Sequence, residues 1–241
     1  MKLTLIRFQA GPAERIWKSD KLIPTVLREK LLTAVIPLEA VPDSERDWHP
    51  GSDGFVLNLV HPALYPIVYG RTMGKLPGSD TATTLVPPEI EETDPKFVSK
   101  RFQFLPSDFS VDGDGKVTLI SPYINNIHPT HRKELYSVIL DILQHALPMF
   151  ERVLSDLLRP LLPMRVTLPD DYGPQTLLTV HCRQRYSGDL GVANNRISLR
   201  GRTLQVIVRL ANIVLTPERR RYPGGKWHVE GSSQPCFVRR D

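Results

Sequence analysis

"HRKELYSVILDILQHALPMFERVLSDLL", residues 131–158, is the stretch on which the fold turns. Leu135, Val138, Ile139, Ile142, Leu143, Ala146, Phe150, Val153, Leu154 and Leu157 recur at three- and four-residue spacing. That period lays one broad apolar stripe along an α-helix. Thr130 is the predicted N-cap. Glu134 falls early in the helix, where a carboxylate meets the positive end of the dipole. Pro148 interrupts the pattern, which predicts a kink or two consecutive helices. His145 lies off the stripe, at the boundary of the buried face.

Beyond Pro160 the period changes. "QTLLTVHCRQRY" (175–186) and "RTLQVIVRLANIVL" (202–215) are rich in β-branched residues and read as strands. In the second, Leu204, Val206, Val208 and Leu210 share one face, and Gln205, Ile207, Arg209 and Ala211 share the other. Between them, residues 187–201 read as a loop with a short strand. Upstream, "DGDGK" (112–116) joins "FSV" to "VTLIS" as a hairpin turn. It also looks like a calcium loop, but Lys116 and Tyr123 stand where oxygen ligands are required. A further helix is expected over residues 14–40, where Val26, Leu27, Lys30, Leu31, Ala34 and Val35 keep helical spacing. Lys30 is the one polar member of that stripe. Pro24 suits the helix start and Pro37 its stop. Residues 41–70, broken by Pro50, Pro62 and Pro66, read as turns with short extended pieces. Residues 73–96 are polar and Pro-rich, a long loop or disordered insert. The fold class is α+β: N-terminal helices and a long central helix packed on an antiparallel sheet. Residues 1–241 make one domain.

Composition narrows the class of protein. With 41% hydrophobic and 24% charged residues, the chain is ordinary for a globular protein. Its two cysteines, Cys182 and Cys236, are far apart, which fits a reducing compartment. The N-terminal apolar run is too short for a signal peptide, and no run reaches the length of a membrane span. A soluble intracellular protein, cytoplasmic and without a membrane partner, is expected. The net charge is +5 and unevenly placed: the part from Arg200 onward carries +6, the rest −1. Arg219, Arg220 and Arg221 are its densest cluster. They read first as a solvated loop and second as an anion or nucleic-acid contact. No aromatic interleaving accompanies them, so nucleic acid is the lesser expectation. No nucleophile elbow, P-loop, dinucleotide fingerprint or H-E-x-x-H motif is present.

"YPGGKWHVEG" (222–231) carries the sharpest chemical signal. Gly224 and Gly225 permit a tight turn, and "KWHVEG" then reads as a strand. On a strand, His228 and Glu230 point to one face and Trp227 and Val229 to the other. An imidazole and a carboxylate so placed are two adjacent ligands for a divalent metal. Non-haem Fe(II) oxygenases take two His and one carboxylate on one octahedral face. Short strands also carry such a His-Glu pair simply as polar side chains facing water. The "SSQPCFVRRD" that follows has no His. Upstream, His181 stands in an expected strand, whereas His49, His61 and His128 each precede a proline and are assigned to turns.

Six segments in order carry a family resemblance: "SDKLIPTVLREKLLTAVIPLE", "DWHPGSDGFVLNLVHPALYPIVYGRT", "FQFLPSDFSVDGDGKVTLISPYINNIHP", "FERVLSDLL", "GRTLQVIVRLANIVLTPE" and "YPGGKWHVEG". Over roughly residues 16–231 the chain resembles the largely fungal domain-of-unknown-function family numbered 4246. The resemblance implies a longer protein of which this chain is the N-terminal portion, apparently truncated after Gly231. It implies an incomplete antiparallel sheet belonging to a double-stranded β-helix, or jelly roll. It also implies an oxygenase-like domain with Fe(II) and 2-oxoglutarate, in which His228 and Glu230 are the first two metal ligands. Arg202 or Arg209 would then hold an anionic small-molecule substrate. Lacking an identified second His, such a chain is expected to be inactive by itself. The alternative is a non-catalytic interaction module whose basic C-terminal region meets an acidic partner or nucleic acid. A third reading gives the truncated chain no independent function.

Overall fold

The computed structural model describes residues 8–10, 16–76, 78–87, 99–130, 132–158 and 197–225. Those residues form an α+β fold of two helices and eleven short strands. The core lies where the long helix meets the first helix and a three-stranded sheet.

The first helix, α1, runs Thr25–Glu39, not from residue 14 as its spacing predicts. Ahead of it, β1 (Gln9–Ala10) and β2 (Trp17–Lys18) pair antiparallel. Pro24 explains the boundary. It holds an extended backbone, and its ring bars the preceding residue from helical geometry. Pro37 does not stop the helix, which continues to Glu39 and closes with the Ala40 N–H on the Ile36 carbonyl. A proline so near the end removes one hydrogen bond from a ladder that is already finishing. Leu27 and Val35 are buried, and Leu31, Ala34 and Leu38 pack against the core. Val26 is not part of that buried face and is 64% exposed.

The 41–70 stretch is turns and short extended pieces, as expected. A 3-10 turn spans Asp43–Glu45, followed by β3 (Val56–Val60) and β4 (Ile67–Val68). The expected 73–96 loop contains a small ladder, with β5 (Met73–Lys75) paired to β6 (Ala82–Thr84). Next come β7 (Phe102–Gln103), paired with β4, then β8 (Ser107–Val111) and β9 (Val117–Leu119).

β8 and β9 form the hairpin that the sequence predicts. Asp112 Oδ1 accepts the N–H groups of Asp114 at 2.9 Å and Lys116 at 2.8 Å, which closes the turn. Gly115 takes φ +88°, a conformation that glycine adopts without steric cost. The carboxylate is thus occupied by backbone N–H groups, in line with the turn reading. β8 alternates: Ser107, Phe109 and Val111 are buried, while Asp108 and Ser110 are partly exposed.

The long helix, α2, is one continuous element, Lys133–Leu157, with Pro148 inside it. There are no two consecutive helices. Leu135, Val138, Ile139 and Leu143 are buried, as the stripe predicts, and Leu147, outside that stripe, is buried with them. Beyond Pro148 the face changes character. Phe150 and Leu157 are exposed, and Ser155 and Asp156 are buried in their place. Asp156 accepts the Trp17 indole N–H at 2.6 Å, and the Ser155 hydroxyl accepts the Ile197 N–H at 3.0 Å. The Arg152 guanidinium lies over the Phe8 and Trp17 rings, 4.6 and 4.9 Å from their centroids. Glu151 accepts the Leu199 N–H at 2.9 Å. The last two turns of α2 are therefore a polar seam joining the N-terminal ladder to the strands that follow. Thr130 is not the cap: Arg132 occupies that position, and no side chain caps the helix. Glu134 does sit in the first turn. His145 is half-buried at the edge, with Nδ1 2.7 Å from the Asp141 carbonyl.

The run 202–215 is two strands rather than one. β10 (Arg202–Val206) pairs with β8, and β11 (Leu210–Ile213) pairs with β3. The first sheet has the order β10-β8-β9. The expected faces hold across the break, since Leu204, Val206, Val208 and Leu210 all pack against the core while Ile207 and Ala211 are exposed. The strand expected at 175–186 lies outside the described residues. No helix among the described residues is long and apolar enough to cross a membrane.

Candidate functional site

β3 is flanked on both edges. β11 runs along one side, and on the other Trp48 bridges to Leu57, while the Asn58 N–H reaches the Asp47 carbonyl at 2.9 Å. The His49 backbone is fixed between the Val56 carbonyl, at 2.8 Å, and the Ser52 N–H, at 3.1 Å. His61 follows the last residue of β3. Its carbonyl accepts the Asn126 side-chain amide at 2.5 Å and the Leu64 N–H at 3.2 Å. Arg209 immediately precedes β11, beside a register shift at Leu210–Ala211. Such bulges turn a neighbouring side chain away from the regular ladder direction.

These three elements bring three nitrogen-bearing side chains together. The His49 and His61 rings meet edge to face with centroids 6.0 Å apart. Arg209 Nη2 is 3.5 Å from His49 Nδ1, a long contact at the limit of a hydrogen bond. All three residues are half-buried. Nearby, Asn58 donates to Asp47 Oδ2 at 3.1 Å. The buried amide oxygens of Asn58 and Asn126 meet no donor among the described residues. Sequence spacing does not reveal this constellation. His49 and His61 do serve turns before prolines, as their positions predict. Their proximity to Arg209 depends on β3 pairing with β11, which comes far later in the chain.

The other sequence-nominated residues are dispersed. Arg202 is exposed at the end of β10 beside the "DGDGK" turn, opposite Val111, so it and Arg209 do not share one site. Arg219 donates to the Asp53 carbonyl and lies over the Phe55 ring, 3.8 Å from its centroid. Arg220 Nε donates to the Pro217 carbonyl at 2.7 Å. Two of the three clustered guanidinium groups therefore brace the 51–55 turn and their own loop, while Arg221 is exposed. Tyr222 packs on Phe55, with ring centroids 5.7 Å apart. His228, Glu230, His181, Cys182 and Cys236 lie outside the described residues. Among the described residues no three His, Cys, Asp or Glu side chains cluster as a metal site.

A separate groove of about 630 Å³ opens between α1 and α2. Val26, Lys30, Ala34, Arg132, Leu135 and Val138 are among the residues that line it. Lys30, the polar member of the α1 stripe, is exposed there and is not in the core.

No curated protein and no solved structure matches the chain. The family model described as "Protein of unknown function (DUF4246)" matches residues 4–238, and the chain belongs to that family.

Proposed function

We propose that this is an oxygenase-like domain of the Fe(II)/2-oxoglutarate type in which His228 and Glu230 hold the metal. The observation that carries the reading is the H-x-E pair, which follows Gly224-Gly225 in the stretch of chain downstream of β11. The donor set fits: one imidazole and one carboxylate are two of the three protein ligands that such iron takes. Bound there, Fe(II) would supply the oxygen chemistry, with 2-oxoglutarate as co-substrate. The chain's own contribution is positional. Tyr222, six residues before His228 in the sequence, is held by its packing on Phe55. Arg209, immediately before β11, is suited to an anionic substrate, and Arg202 is the alternative holder.

The test is an anaerobic calorimetric titration of the purified chain with Fe(II). Wild type should bind at one site. The His228→Ala/Glu230→Ala double variant should lose at least about tenfold in affinity, which corresponds to about 1.4 kcal/mol. Equal binding by the two proteins would sink the reading.

The charge of +6 from Arg200 onward supports a second reading, an interaction module for an acidic partner or nucleic acid. Such binding must weaken steeply with salt, because it depends on displaced counterions. Absence of DNA or RNA binding at low salt removes its nucleic-acid form. Arg221 is the cluster member best placed for it, since Arg219 and Arg220 are held by local carbonyls.

A further inference from the structure

We propose that the groove between α1 and α2 is the contact surface of a symmetric dimer, in which α1 of a second copy of this chain seats in it. The proposal requires no metal and is independent of the iron reading above.

The apolar pattern of α1 is the first observation. One side of the helix is spent on the core, where Leu27 and Val35 are buried and Leu31, Ala34 and Leu38 pack. Val26, Leu32 and Ile36 are nonetheless 64%, 48% and 54% exposed. At about 100° per residue all three point away from the core side. A helix on the surface of a globular protein keeps its outward side polar, and one that is apolar on both sides is normally covered on both.

Charge is the second observation, and it selects the occupant. Glu29 and Lys30 from α1 and Arg132 and Glu134 from α2 line the groove. None of the four makes an ion pair among the described residues. Equal numbers of both signs suit an occupant that itself carries both signs, because a simple anion or cation would face two like charges. A second copy brings the same four groups in reversed order about a two-fold axis. Lys30 of each copy then faces Glu134 of the other, and the Val26–Ile36 ridge of each is covered by the same crossing. The groove, about 630 Å³ and lined also by Val26, Leu135 and Val138, accepts such a ridge. A small apolar ligand is the competing occupant. It would fill the groove but leave Leu32 and Ile36, which do not line it, in water.

The experiment is sedimentation equilibrium of the full chain over a range of concentrations, with chelator present. A monomer–dimer equilibrium is expected. Ile36→Asp should weaken dimerisation at least about tenfold. That side chain is exposed, so the monomer fold is retained, which circular dichroism checks. Lys30→Glu and Glu134→Lys should each weaken self-association at least about tenfold, since like charges then meet twice across the axis. Mixed in equal amounts, these two variants should recover a dimer of wild-type affinity, because every reversed charge meets its opposite. An intrachain role for either residue predicts no such recovery. Val86→Asp, at an exposed apolar side chain outside α1 and the groove, should leave the dimer intact. The proposal is overturned by a monomer at every concentration, by unchanged association in any folded variant of the first three, by failure of the mixture to recover, or by equal loss in Val86→Asp. Because every arm is read without iron, the His228–Glu230 reading stands or falls separately.

Discussion

Phe109→Ala is expected to lower the unfolding free energy by about 3–5 kcal/mol. Phe109 has no exposed surface, and it sits on the central strand of the β10-β8-β9 sheet. It belongs to the cluster formed with Leu135, Ile139, Leu143 and Leu147 of α2. Removing the ring forfeits its transfer free energy and leaves a cavity that β8 cannot close, because that strand is paired on both edges. Domains of this kind are stable by only about 5–15 kcal/mol, so the loss is a large share of the total. Urea unfolding followed by circular dichroism measures it through the midpoint at unchanged slope. A loss under about 1 kcal/mol would show that the sheet and α2 are not closely packed there.

Tyr136→Phe is the second large effect, expected at about 2–4 kcal/mol. The phenol oxygen accepts the Ile124 N–H at 2.9 Å and donates to the Ile127 carbonyl at 2.8 Å. Ile124 and Ile127 are almost fully buried, so phenylalanine strands one donor and one acceptor away from water. Each such orphan costs about 1–3 kcal/mol, and the two are not additive. The same loop is tied to the β3 side by Asn125, whose amide reaches the Tyr65 carbonyl, and by Asn126, which reaches the His61 carbonyl. Loosening it should therefore also move the His61 imidazole resonance.

The pH dependence has a definite sign. Burial raises the Tyr136 phenol above its ordinary value of 10.0, partly opposed by the Ile124 hydrogen bond and reinforced by Tyr123. A raised folded value means that the folded state favours the neutral phenol. Its contribution is complete below pH 10 and is lost as pH rises through the folded value. The stability gap between wild type and Tyr136→Phe should thus be constant at neutral pH and narrow above pH 10. Tyr69, also raised by burial, titrates in both proteins and cancels in the difference.

Local pattern made much of the fold legible. The α2 stripe, the Asp112 hairpin and the inward face of 204–210 follow from periods of 3.6 and 2 and from turn chemistry, all of which act over a few residues. The departures share a different origin. The helix expected from residue 14 begins only at Thr25, because Trp17 is claimed by β1 pairing and by a hydrogen bond to Asp156, 139 positions away. Ser155 and Asp156 displaced Phe150 and Leu157 from the buried face because their polar atoms found partners there. Periodicity ranks residues by hydrophobicity and is blind to such satisfied polar contacts. The site divides likewise. Arg209, with Arg202, is a candidate anion holder only through what the family resemblance implies. Its neighbours His49 and His61 were assigned to turns, because nothing local shows which strand will lie beside β3.

The run from Arg202 to Ile213 has a consequence for motion. Because one covalent segment supplies an edge to β8 and then an edge to β3, neither ladder can separate fully without pulling on the three residues between them. Opening events at the two sheets are thereby coupled through a tether of about 10 Å at full extension. Arg209 is the last residue of that tether, so any ligand gripping it would shorten the excursions of both sheets at once.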